Sequence, residues 1–248
     1  MSDFYFEMNP KFWDKEEPKV MGDIIGRPEA IQMLGDISGK TILDAGCGSG
    51  YISRILSRQC SHVVACDSGV EMIEMAKKRE RQKQLNIKYS VCDIAKMPFA
   101  DNSFDFAICV SVLLYCEAKT VFAFFKEIKR VLKNNGVLVL SVPHPYLYSL
   151  KSPARNKKDN WIKYYSVEQY DEMSGSQKFK QIYYDKDLNI FCSEIWGHPL
   201  SLYIDALLES GLRLRFTREL IIQKNHLIHK KWGTKYGYPI FFQIKTSG

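Results

Sequence analysis

Residues 42–50 read Ile42-Leu-Asp44-Ala-Gly46-Cys-Gly48-Ser-Gly50, an apolar run that ends in a carboxylate and passes into three glycines at every second position. Buried-strand residues feeding a glycine-rich turn let a ligand approach the backbone closely, at the mouth of a doubly wound sheet. A dinucleotide fingerprint would place glycines at 46, 48 and 51, but position 51 is Tyr51. A diphosphate also favours a turn with no acid just upstream. Asp44, two residues before the first glycine, therefore suits a cationic or neutral ligand better than a pyrophosphate.

The downstream segments keep the same logic. His62-Val-Val-Ala-Cys-Asp67 is a short apolar run that ends in a carboxylate 21 residues after Gly46. An acid at that distance, on the tip of a second strand, can bind the paired hydroxyls of a ribose. Ser68 and Glu71 have capping-box spacing and predict the start of the next helix, over about residues 69–84. Ile87-Lys-Tyr-Ser-Val-Cys-Asp93 reads as a third strand with an acid at its end. Met97-Pro-Phe-Ala-Asp-Asn-Ser-Phe-Asp105 leads into Phe106–Val110, the fourth strand. Lys129–Gly136 followed by Val137–Val142 reads as helix, glycine turn and fifth strand. Apolar strands without alternation, interleaved with helices, imply a parallel sheet covered on both faces.

In this order the five segments, spanning residues 40–143, resemble the motifs of class I S-adenosylmethionine-dependent methyltransferases. The resemblance implies an α/β, Rossmann-like, doubly wound seven-stranded sheet, mostly parallel with the last strand antiparallel. It also implies S-adenosylmethionine as cofactor. Asp44, Gly46 and Gly48 would then hold its methionine part, Asp67 the ribose, and Asp93 with Ile94 the adenine edge, with Cys47, Gly50, Ser68 and Val110 as further contacts. Ser111–Cys116, Ser141-Val-Pro-His-Pro145 and His198-Pro-Leu-Ser-Leu-Tyr203 through Gly211 resemble one bacterial subgroup of small-molecule methyltransferases. Where that subgroup commonly has histidine, this chain has Tyr115.

The reacting centre of such a fold lies above the carboxyl ends of strands 4 and 5. His144 is the general-base candidate there, because an imidazole titrates near neutrality; set between two prolines, it could equally cap strand 5. Tyr115 would orient an acceptor oxygen. Tyr5 and Trp13 of an N-terminal arm, with Tyr146, Trp196 and His198, are the expected acceptor contacts. His226 and His229 could share a helical face but have no acidic or cysteine partner nearby, so no metal is expected.

At 248 residues the chain accommodates a single methyltransferase domain over 1–248, with an arm over 1–26 and an inserted substrate lid over 143–198. An unstructured loop that long would be unusual in a compact domain. Lys178–Tyr184 and Asn189–Trp196 flank Asp185-Lys-Asp-Leu188 and predict a hairpin within it. Helices are expected over about 50–58, over 120–133 closed by Asn135-Gly136, and from Pro199 to Gly211 with Leu200, Tyr203, Ile204, Leu207 and Leu208 on the buried face. Leu212–Leu220 and Tyr238–Lys245 read as the last two strands.

Seven cysteines without metal spacing, no signal-like start and no long apolar run point to a cytoplasmic protein without a membrane partner. The net charge of +7 is uneven: residues 1–150 carry 19 Lys and Arg against 18 Asp and Glu, and residues 151–248 carry 16 against 10. That excess is a solvated surface or an attraction for an anionic acceptor. The expected activity is methyl transfer to an oxygen or nitrogen of a small organic acceptor, by a monomer or homodimer. Methylation of an RNA base is the alternative, favoured by the basic second half and its aromatics, and a non-catalytic cofactor-binding protein is the third reading.

Overall fold

Thr41–Ala45 (β1) lies inside the sheet, and Ile42 and Leu43, on opposite faces, are both fully buried. A computed structural model describes residues 25–60, 62–149, 164–184, 190–221 and 239–247. The expected arm lies outside them up to residue 24, Tyr5 and Trp13 included, as do His226 and His229. β1 pairs in parallel with His62–Asp67 (β2) on one side and Phe104–Val110 (β4) on the other. Ile87–Val91 (β3) extends the sheet beyond β2, and Leu132–Pro143 (β5) runs parallel to β4. Beyond β5 the strands are antiparallel: Arg213–Ile221 (β9) forms the edge and Pro239–Ser247 (β10) lies between it and β5, while Tyr164–Asp171 (β6), Ser176–Tyr184 (β7) and Ile190–Gly197 (β8) form a separate sheet. The seven-stranded order is β3-β2-β1-β4-β5-β10-β9.

Two helical layers explain why the strands are apolar on both faces. Ile42, Val63, Ile108 and Val139 point to Arg27–Leu34 (α1), Tyr51–Leu56 (α2) and Val70–Lys83 (α3). Leu43, Ala107, Leu138 and Leu140 point to Ala118–Val131 (α4) and Leu200–Glu209 (α6). In α4, Val121, Phe124, Phe125 and Ile128 recur at helical spacing and are fully buried. Between β5 and α6 stand a short helix, Tyr146–Ser149 (α5), and the antiparallel sheet of β6, β7 and β8. The β7–β8 pairing, with Gln177 opposite Gly197, is the expected hairpin; its turn lies outside the described residues. β6 was not legible as a strand.

Three local expectations are corrected. Ser68 does not cap α3: the N-cap is Gly69, and the neighbouring Asp67 takes the Gly69 N–H at 2.8 Å instead. Asn135-Gly136 does not close α4, because the helix stops at Val131 and Leu132 already pairs with Phe104 in the sheet. Register jumps from Phe104–Leu132 to Phe106–Val137, and residues 133–136 form the bulge between them. Gly136 does not adopt a positive φ; a Cβ there would sit 2.9 Å from the Lys133 carbonyl oxygen, so glycine is required by close approach. Leu208 is 58% exposed, because α6 buries the face of Leu202, Tyr203, Ala206 and Leu207.

Candidate functional site

β1 ends at Ala45, and the chain turns through Gly46, Gly48 and Gly50 at φ values of 77°, 54° and 80°. These are left-handed conformations that side chains rarely adopt, which is why glycine alternates there. A Cβ on Gly46 would collide with Val112, and one on Gly50 with the Tyr89 hydroxyl. A Cβ on Gly48 would meet nothing within 4 Å, so the turn is packed below and open at its middle glycine.

Backbone donors fix the turn to the tip of β2. Gly46 N–H and Cys47 N–H both donate to the Cys66 carbonyl, at 2.8 and 2.9 Å. Gly48 N–H donates to Asp67 Oδ2 at 2.8 Å, while Asp67 Oδ1 takes Gly69 N–H. Burial raises the Asp67 pKa, and these two hydrogen bonds oppose it. Arg54 of α2 donates to the Ser49 carbonyl at 2.6 Å and closes the far side of the turn.

Asp44 sits beneath the turn, 1% exposed, and accepts the Ser53 hydroxyl at 2.5 Å. Burial pushes its carboxyl up to about 6, against the Ser53 hydrogen bond and the nearby Arg27 charge, which lower it. Arg27, at the start of α1, also lies 5.7 Å from the Tyr51 ring centroid. Cys47 is buried, with its thiol directed at the Gly48 carbonyl and pushed well above its ordinary range by burial. Asp93 is exposed beyond β3 and accepts the Ala95 N–H at 2.9 Å. Ile94 is 2% exposed, its side chain in the core, so only its backbone can reach a ligand. Ser68 is half-buried, and Val110 is buried at the end of β4.

The expected acceptor residues divide into two groups. His144, at the end of β5, accepts the Tyr146 backbone N–H on Nδ1 at 3.1 Å and presents Nε2 to Glu219 of β9 at 3.4 Å. Tyr146, the first residue of α5, is itself 36% exposed. Tyr115 closes a single 3-10 turn, Leu113–Tyr115, and is half-buried against Phe179 and Ile195 of the three-stranded sheet. His198, expected to contact the acceptor, is 1% exposed with both nitrogens bonded to protein groups, Ser176 Oγ and the Cys116 carbonyl. Trp196 lies parallel to the His198 ring, at a centroid distance of 6.2 Å, with the Lys178 ammonium 5.9 Å from its own ring.

Arg27, Ser53, Arg54, Tyr89 and Glu219 were missed in the sequence reading. Ser53 and Arg54 lie in the first turn of α2, from which they reach back to the strand end and the glycine turn; Arg27, Tyr89 and Glu219 approach from elements more distant in sequence. No group of three or more potential metal ligands occurs among the described residues.

The turn fits a nucleoside carrying a cationic amino-acid tail. A positive-φ glycine gives open backbone, a buried carboxylate can meet a cation, and an acid at the tip of the second strand can take hydroxyls. Residues 43–140 match the methyltransferase domain family. A malonyl-[acyl-carrier protein] O-methyltransferase of Hamiltonella defensa is 27% identical over 225 residues, 86% of this chain and 81% of that protein. A ubiquinone biosynthesis O-methyltransferase of Coxiella burnetii is 33% identical over 87 residues, 35% of this chain and 37% of the relative. The crystal structure of an S-adenosylmethionine-dependent methyltransferase from Mesorhizobium loti shares the fold at a TM-score of 0.62 and 20% identity, over 89% of this chain and 96% of that one. With the glycine turn, the strand-tip acids and the seven-stranded order, these likenesses make the chain similar to the class I S-adenosylmethionine-dependent methyltransferases.

Proposed function

We propose that the chain methylates an oxygen of a small organic acceptor held between the ends of β4 and β5 and the three-stranded sheet. The observation that carries this is the packing of that sheet onto the catalytic end of the fold. Phe179 of β7 stacks on Tyr148 of α5 at 5.0 Å and packs with Leu114 beside Tyr115. A roof there would exclude water from the acceptor. Oxygen is favoured over nitrogen because the aligned relatives are named as O-methyltransferases. The basic excess of residues 151–248 suits an acceptor bearing a carboxylate.

S-adenosylmethionine, when bound, supplies an already activated methyl group. Asp44 would take the cation of its amino-acid tail, with Arg27 near enough to meet the carboxylate. Asp67 would accept ribose hydroxyls on lone pairs not used by Gly48 and Gly69, and Asp93 would face the adenine edge. The chain's principal task is alignment, which can supply ~7–11 kcal/mol of barrier reduction when reacting atoms are held in near-attack geometry. An acceptor that must lose a proton needs a base as well. His144 fills that role only by giving up the Tyr146 N–H on Nδ1, while Glu219 holds the ring by Nε2. A carboxylate acceptor needs no base. Mass spectrometry of a panel of phenols, hydroxyquinones and free or thioester-linked dicarboxylic acids with the cofactor tests the reading. A methyl ester or ether product supports it, and methylation only of amines or of RNA rejects it.

A further inference from the structure

His198 heads a chain of four short contacts that runs from the buried loop after β4 to the rim of the three-stranded sheet. Nε2 lies 2.8 Å from the Cys116 carbonyl oxygen and Nδ1 2.7 Å from Ser176 Oγ. Ser176 Oγ lies 2.8 Å from Ser174 Oγ, which lies 2.6 Å from Asp171 Oδ2. Each contact at hydrogen-bond length holds one proton between its two atoms. A neutral imidazole contributes one proton and the two hydroxyls one each, so the four contacts are one proton short.

The direction of the chain shows where the shortage falls. A carbonyl only accepts, so the imidazole must donate from Nε2 to Cys116. With Nδ1 then an acceptor, Ser176 donates to it and Ser174 donates to the carboxylate. The Ser174–Ser176 contact is left with two facing lone pairs. One added proton fills every link in a single direction: Nε2–H to Cys116, Nδ1–H to Ser176, Ser176 O–H to Ser174, and Ser174 O–H to Asp171.

We infer that His198 is a positioning residue which, with one extra proton shared along this chain with Asp171, clamps the three-stranded sheet onto the loop that carries Tyr115. The consequence reaches the cofactor turn. Cys116 ends the same short loop in which Val112 stands against Gly46, so the clamp bears on the roof and on the floor of the site together. The inference rests on the fold and not on the identity of the acceptor.

The groups around the ring fix the sign of the pH dependence. Asp171 faces it from β6, with its other oxygen on the Met173 N–H, and hydrogen bonding from Ser174 keeps that carboxyl below its usual range. The Cys116 thiol lies on the loop, and Tyr203 of α6 presents its ring at 5.7 Å. Burial holds the thiol up to about 12 and the phenol well above its ordinary range, so both stay neutral. Lys178, beside Trp196, is paired with Glu194 at 2.7 Å, and Glu117, next to Cys116, with Lys119 at 2.9 Å. Burial draws the His198 imidazole below its usual range, opposed by the Cys116 and Leu113 carbonyls and by Asp171. The clamp is therefore closed on the acid side and loses its proton as pH rises.

The test uses the full chain with isotope-labelled histidine, followed by NMR from about pH 5 to about pH 8.5, with His198 assigned by its loss in His198→Gln. The expected result is a doubly protonated ring at the acid end. Its deprotonation should coincide with a loss, of about tenfold, in hydrogen-exchange protection across β6–β8 after correction for intrinsic rates. Asp171→Asn supplies the missing proton from its amide while its oxygen still accepts from Met173. That variant should hold a neutral ring protonated on Nε2, with protection independent of pH. Ser174→Ala, which severs the carboxylate from Ser176, should move the ring's titration to lower pH. A wild-type ring that stays neutral throughout, an unchanged profile in Asp171→Asn, or an unmoved titration in Ser174→Ala would each overturn the inference.

Discussion

The Ser53 hydroxyl reaches the carboxylate of Asp44 at 2.5 Å, joining the first turn of α2 to the strand end beneath the glycine turn. The contact keeps a fully buried acid partly ionisable, with a pKa of about 6 against an ordinary 3.8. A raised carboxyl pKa means that ionisation costs folding stability. The cost is absent below pH 3.8 and complete above about 6, and amounts to about 3 kcal/mol. Binding a cation reverses the preference, because only the carboxylate attracts it. Cofactor affinity should therefore rise with pH and level off above about 6, being about tenfold weaker at about pH 5 than at neutrality. Asp44→Asn should flatten the profile at weak affinity, and Ser53→Ala should move the step to higher pH. Calorimetric titration across this range checks it; an affinity that ignores pH in the wild type contradicts the role given to Asp44.

The three glycines should respond differently to alanine. Gly46→Ala drives a methyl group into Val112 and should lower the melting temperature markedly, with partial recovery when Val112→Ala is added. Gly48→Ala meets no neighbour and incurs only the left-handed backbone cost of about 1–2 kcal/mol. It should fold yet bind cofactor poorly, because the new methyl group occupies the open side of the turn. Equal losses of stability in the two variants would contradict this division.

His144 separates placement from proton removal. If the acceptor is an alcohol or phenol, His144→Ala should reduce turnover by roughly 10²–10⁴-fold and leave cofactor affinity nearly unchanged. Glu219→Gln should give a smaller loss, since it still accepts from Nε2 but carries no charge. Full activity in His144→Ala with the true acceptor would show that Nδ1 only holds the Tyr146 N–H.

The first three strands are legible because each ends at, or within two residues of, a carboxylate that is local in sequence. Asp44, Asp67 and Asp93 can be read for that reason. Ser53 and Tyr89 cannot, since their roles arise only when α2 and β3 fold against the turn. The Ser68 capping box failed because the helix starts one residue later, at Val70 with Gly69 as its N-cap. His198 was read by residue type as an acceptor contact, whereas Ser176 and Cys116, 22 and 82 residues away, determine where its nitrogens point. The hairpin of β7 and β8 alternates strongly enough to be seen, but β6, rich in polar residues, carried no such signal.

Asp67 holds the Gly48 and Gly69 amides on its two oxygens at 2.8 Å and is assigned the cofactor's ribose. Isothermal titration of S-adenosylmethionine and of its demethylated product into the wild type and Asp67→Ala tests this directly. The wild type should bind both at one site per chain. Asp67→Ala, with two backbone donors left unpaired and the ribose acceptor gone, should weaken binding by at least about a hundredfold. No binding to the wild type, or undiminished binding to a folded Asp67→Ala, would contradict the assignment.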